Sequence, residues 1–188
     1  MTKGSKRKPL NDPRNTATHE AGHAVISRVL TLDCGGATVV PNDEAGGAGH
    51  AITNDPWACI REWERRGKVR EPEAVWHAQI MSCMAGAEAE IVLLGATQGG
   101  DGGDRTQIAL MAEQLGTHDE HWERIEARLR AMTRMLVRRH RAHIERVAAA
   151  LIKKKRLSRE ELDRLVGRSV NDVKVNAPFL LAMHANSK

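Results

Sequence analysis

The sequence predicts a mainly α (α+β) fold with a small β-hairpin or sheet after its first helix. Three observations lead there. Apolar residues recur at helical spacing over long stretches, above all 73–94 and 122–152. Aromatic residues are scarce, with four Trp, one Phe and no Tyr, so the core rests on Leu, Ile, Val, Met and Ala. That set favours helices over strands. One short β-prone stretch, Thr38, Val39 and Val40, lies between glycine-rich segments.

Residues 1–13 read as a flexible basic tail with Gly4, Pro9 and Pro13. Residues 14–32 read as the first helix, with Ala17, Ala21, Ala24, Val25, Val29 and Leu32 on one face and Thr16 or Thr18 as its cap. Cys34-Gly35-Gly36 should break it. Ala37–Pro41 and Gly49–Thr53 read as paired strands around a loop at 42–49. Trp57, Ile60 and Trp63 suit a short packed helix within 55–70. The 73–94 helix is apolar nearly all round in its C-terminal half, which predicts burial, and Gly95 ends it. A glycine-rich turn, 99–104, leads into a helix at 105–115. Ile125, Leu129, Met132, Leu136, Ile144, Val147 and Leu151 mark one long amphipathic helix over 122–152. Ser158 and Glu161 form a capping box that opens a last helix ending near Gly167. Residues 168–188 form a C-terminal tail with an apolar patch at Phe179–Leu181.

At 188 residues the chain suits one domain with a real core. It has no run of 18 apolar residues, so no membrane span is expected, and no secretory signal. Cys34, Cys59 and Cys83 are odd in number and widely spaced, which fits free thiols and a cytoplasmic location. The net charge of +5 concentrates at Lys3–Lys8, Arg134–Arg146 and Lys153–Arg156. A solvated helix face and a basic arm explain it without nucleic acid, because no nucleic-acid module accompanies the charge.

The most informative segment is His19-Glu20-Ala21-Gly22-His23, an H-E-x-x-H motif. Residues four apart share a helix face, so both imidazoles can reach one Zn²⁺. Glu20 is turned away from the ligand position and can act as general base on a water at the metal. The motif therefore points to a zinc-dependent hydrolase. A catalytic zinc needs a third protein ligand and an open position. Glu44 lies in a glycine-rich loop, a poor place for that ligand. His118-Asp119-Glu120-His121 reads better as an exposed helix start, His140 and His143 as surface groups, and His50 as a strand side chain.

The block Met84-Ala85-Gly86-Ala87-Glu88-Ala89-Glu90-Ile91-Val92-Leu93-Leu94-Gly95, followed by Thr97, Gly100 and Asp104, resembles the peptidase domain of FtsH-type AAA+ proteases. Thr18–Ala24 resembles that family's metal helix, Ala37–Thr53 its substrate-edge strands, and 122–167 its C-terminal helices. The resemblance implies Asp104 as the third ligand, nine residues beyond Gly95, and Glu90 as a support for the ligands. It also implies a helical, zincin-like peptidase domain over residues 14–167, with Val39, Val40 and Gly49 as substrate contacts. The turn Gly99-Gly100-Asp101-Gly102-Gly103-Asp104 lacks the family's usual Ser-Asn before the Asp, so Asp101 competes for the ligand role. No phosphate-binding loop G-x-x-x-x-G-K-[ST] occurs in these residues.

The expected function is a soluble, ATP-independent zinc metalloendopeptidase acting on unfolded or flexible polypeptides, with Zn²⁺ as cofactor. The resemblance also implies a homo-oligomer, and a separate ATPase could feed the enzyme. The alternative from another class is a peptidase-like binding or regulatory module with little turnover. A basic DNA-associated protease is a third reading.

Overall fold

The computed structural model describes residues 12–32, 34–41, 50–53, 61, 64–65, 71–97, 99–116 and 119–166. In chain order these form α1 (Pro13–Val29), β1 (Cys34–Thr38), β2 (His50–Thr53), α2 (Pro72–Leu94), α3 (Gly102–Gln114), α4 (Asp119–Arg139), α5 (Arg141–Lys154), β3 (Arg156–Ser158) and α6 (Arg159–Val166). The mainly α fold with a small antiparallel sheet is as expected. The readings of residues 1–11, Glu44, Gly49, Trp57, Cys59, Ile60, Trp63, His118 and the C-terminal tail lie outside the described residues, whereas Asp12 and Pro13 of the expected tail belong to the start of α1.

α1 starts earlier than expected. Asp12 is the N-cap, accepting the Arg14 N–H at 2.9 Å, and Pro13 takes the first helical position. A proline fits there because its missing N–H would have had no partner. Thr16 and Thr18 therefore lie inside the helix rather than capping it. The helix also ends sooner, at Val29. Thr31 adopts a left-handed φ of 64°, its N–H bonding to Arg28 O and that of Leu32 to Ser27 O. These are the paired bonds of a Schellman stop.

Cys34-Gly35-Gly36 does not break a helix but forms β1, which is shifted toward the N-terminus from the expected 37–41. The sheet has three strands in the order β2-β1-β3, all antiparallel to their neighbours. Thr38 pairs with His50 on one side and Arg156 on the other. β3 carries no sequence signal of its own, having three residues, of which two are polar. Gly36 has a φ of 154° beside a bulge, and a Cβ there would meet Leu157 O at 2.7 Å. Its glycine is required by the approach of β3.

α2 spans nearly the expected residues, and Gly95 stops it with a φ of 89°. α3 begins at Gly102 instead of Arg105. The expected single helix over 122–152 is two, because His140 leaves helical geometry (φ −103°, ψ 17°). α4 packs mainly on α2 and α5 mainly on α1, so a break lets each half follow its own partner. At α6 the capping box forms reciprocally: Glu161 N–H donates to Ser158 Oγ, and Ser158 N–H to Glu161 Oε2.

α1 is the central helix, packed on α2, α5 and the sheet. Ile26, Leu30, Ile80, Met81, Met84, Leu129, Ile144, Leu151 and Leu162 are among the largest fully buried side chains of the core. Truncating any of them to Ala should cost about 2–5 kcal/mol. Arg28 is buried too. Its guanidinium pairs with Asp163 and donates to the carbonyls of Cys34 and Arg159, tying α1 to β1 and α6. No helix among the described residues is long and apolar enough to cross a membrane.

Candidate metal centre

His19, Gly22 and His23 lie on the face of α1 that packs against α2. The contacts run in opposite order along the two helices: His19 meets Glu90 and Gly86, whereas His23 meets Ser82. The helices are thus antiparallel, and Ser82, Gly86 and Glu90 form one stripe of α2 at four-residue spacing. Two glycines bring the helices this close. A Cβ on Gly22 would meet Ala85 O at 2.5 Å, and one on Gly86 would meet the His19 ring at 2.5 Å.

This seam orients both imidazoles. His19 Nδ1–H donates to Glu90 Oε1 at 2.6 Å, and His23 Nδ1–H donates to Ser82 O at 2.7 Å. Each ring is thereby held with Nε2 pointing away from α2's acceptors, the arrangement that presents a lone pair to a metal. Both Nε2 atoms face Asp104 Oδ2, at 3.0 Å from His19 and 3.3 Å from His23. Asp104 comes from the first turn of α3. One ligand atom from each of the three residues falls within 4.8 Å of the others, so His19, His23 and Asp104 could hold a metal ion. Asp101 is not in this cluster; its Oδ2 accepts from Arg105 Nε at 2.8 Å.

The electrostatics point the same way. Burial opposes a charged His19, but hydrogen bonds to Asp104 and Glu90 outweigh it and push its pKa up to about 10. Burial also opposes charge on His23, and Asp104 again outweighs it to raise the pKa. For Asp104, burial alone would favour the neutral acid, yet the two imidazoles hold it well below the usual carboxylate range. The site therefore favours positive charge between these groups, where Zn²⁺ chemistry would place it. Glu20 is buried beside the pair, and its negative charge raises both histidines. Two imidazole nitrogens and one carboxylate oxygen, each nitrogen oriented from behind, make a donor set that fits zinc with a position left open.

The other candidates fall elsewhere. His140 and His143 lie together at the α4–α5 junction, with ring centroids 5.8 Å apart. Burial, followed by neighbouring positive charge, lowers both their pKa values. Val39 and Val40 are half-buried just past β1 instead of within a strand. The Val39 N–H donates to Lys155 O at 2.9 Å, and the Val40 N–H to Thr38 Oγ1 at 3.0 Å.

Sequence reading missed Ser82 as the His23 acceptor. It does so through its backbone carbonyl, which every residue has, so no side-chain signal marks it. Gly86 stands in the Met84–Gly95 block that carries the resemblance, but only the packed seam shows that it makes room for His19. Cys83 also lies near the centre: burial, then the charge of Asp104, pushes its thiol up to about 12.

Fold and cluster together define a mainly helical protein in which two buried histidines and the half-buried Asp104 could hold a metal ion. Among known proteins, it is similar to the ATP-dependent zinc metalloprotease FtsH of Pelobacter propionicus, 27% identical over 117 residues. The match covers 60% of this chain and 17% of the length of that protein, a distant relationship. No family model matches the chain.

Proposed function

We propose that the chain is a zinc-dependent metalloendopeptidase that hydrolyses peptide bonds in unfolded or flexible polypeptides. The observation that carries this reading is the convergence of His19 Nε2 and His23 Nε2 on Asp104 Oδ2, with each Nδ1–H held by its own acceptor. His19, His23 and Asp104 would hold Zn²⁺, and Glu90 would keep His19 in the ligating tautomer. When bound, zinc supplies a Lewis acid that acidifies water and polarises the scissile carbonyl. Glu20 takes the proton of the attacking water and returns it to the leaving amine. β2 is an outer strand of the sheet and can align an extended substrate through backbone hydrogen bonds. Val39 and Val40, just past β1, would flank that substrate. Peptide hydrolysis itself needs no nucleotide, so the isolated chain should act without ATP. Stably folded proteins should need a separate ATPase to unfold them first.

The test measures zinc content and casein hydrolysis together. Wild type should carry about one zinc per chain, as a single three-ligand site requires. Glu20→Gln should keep zinc and lose about 10²–10⁴-fold in kcat, the usual contribution of a general base. Asp104→Ala should lose both. Metal-dependent cleavage retained by Glu20→Gln would sink the assignment of the base. Zinc without hydrolysis in wild type would point instead to a peptidase-like binding module.

A further inference from the structure

We propose that the buried Ser27–Ser82 hydroxyl pair is a positioning device for His23, locking the α2 carbonyl that orients this imidazole. Its consequence for metal binding rests on the zinc reading above. Ser27 lies one turn beyond His23 on α1, and its Oγ is 2.5 Å from Ser82 Oγ. Both serines are buried, at 0% and 3% exposure. Ser82 therefore grips two successive turns of α1, its carbonyl accepting from His23 and its hydroxyl meeting Ser27.

The two histidines need different amounts of help. His19 is held by a carboxylate, Glu90, whereas His23 is held by a neutral carbonyl. A hydrogen bond to a charged group is roughly twice as strong as one between neutral groups. Ring orientation at His23 thus depends more on α2 staying in register. An apolar pair at 27 and 82 would pack without fixing that register, because apolar contact is non-directional. Two hydroxyls at hydrogen-bond distance favour one register, since sliding either helix breaks the bond between these buried groups. Within α2's i→i−4 ladder, the Ser82 carbonyl also faces the N–H of Gly86, the glycine beneath His19. The register lock consequently serves both ligands.

The experiment compares wild type with Ser27→Ala, Ser82→Ala and the double variant, using zinc and cobalt(II) as probes. Each single change should weaken zinc binding about tenfold, the low end for groups behind a ligand. Each should also alter the visible spectrum of the cobalt form. The double variant should be no worse than either single, because one bond is lost in all three. In metal-free protein the variants should exchange the His23 Nδ1–H with solvent faster than wild type. Variants that lower only the unfolding temperature, with unchanged cobalt spectrum and exchange, would overturn the proposal. So would additive losses. A wild type that binds neither metal would refute the zinc reading alone, and the exchange rates would then decide the positioning role by themselves.

Discussion

Glu88 and Glu90 are two residues apart on α2, both buried, and they do opposite things. Two residues are about 200° round a helix, so the carboxylates leave α2 on opposite sides. Glu88 points toward α4, where Arg134 grips both its oxygens at 2.6 and 3.2 Å and Arg130 lies at 3.6 Å. Glu90 points toward α1, where it orients His19. The first carboxylate is neutralised by cations that never lose their charge. The second meets an imidazole, whose positive charge is a proton that can leave. A carboxylate closed by guanidinium is structural, whereas one that orients a titratable imidazole leaves room for a metal.

The two sides can be separated by mutation. The largest effect should come from Arg130→Ala with Arg134→Ala, which strands the Glu88 charge. Leaving a buried charge uncompensated costs about 3–5 kcal/mol, read as a lower chemical-denaturation midpoint. Zinc affinity of the folded fraction should change little. If it collapses as well, the two sides of α2 are not independent.

Next comes Gly86→Ala, which drives a methyl into the His19 ring. Overpacking of this kind costs about 1–3 kcal/mol, and here zinc affinity should fall with stability. Wild-type affinity in that variant would mean that the seam yields without moving the ligand. Glu90→Gln should reverse the pattern of the arginine pair. It should weaken zinc binding about 10–100-fold while the metal-free protein keeps most of its stability. Titration with a zinc chelator and thermal unfolding separate these outcomes.

The mildest test is pH. In the metal-free protein, the raised His19 pKa gives stability that is full below 6.5 and is lost as pH rises through about 10. The lowered Asp104 pKa gives stability that is present above 3.8 and is lost as pH falls further. Zinc must displace the imidazole protons, so its affinity should rise from pH 7 to 9, with proton release seen by calorimetry in buffers of different ionisation heat. The Glu88 side should show no such zinc-linked change.

Much of the centre was legible in the residues. H-E-x-x-H on a helix places two imidazoles by periodicity alone, and Asp104 followed from the resemblance at a fixed distance past Gly95. The sequence left Asp101 in contention, and only the α3 turn separates the two, by giving Asp101 to Arg105. The basic run around Arg134 read as a solvated face, because a buried Glu88 from another helix has no local sign. The single helix over 122–152 read as continuous, because its apolar period runs straight through His140. Neither the Thr31 stop nor β3 announces itself by composition.

What the sequence determined by itself was local: the helical periods, the capping box at Ser158, the glycine stop at Gly95 and the spacing of His19 and His23. Each depends on backbone geometry within a few residues. What only the tertiary structure decided was which buried carboxylate meets which cation, which carbonyl holds His23, and where two glycines let α1 and α2 touch. Those outcomes join residues 46 to 85 positions apart, as for Glu88 with Arg134 and His19 with Asp104. Local propensity carries no information over such distances; packing does.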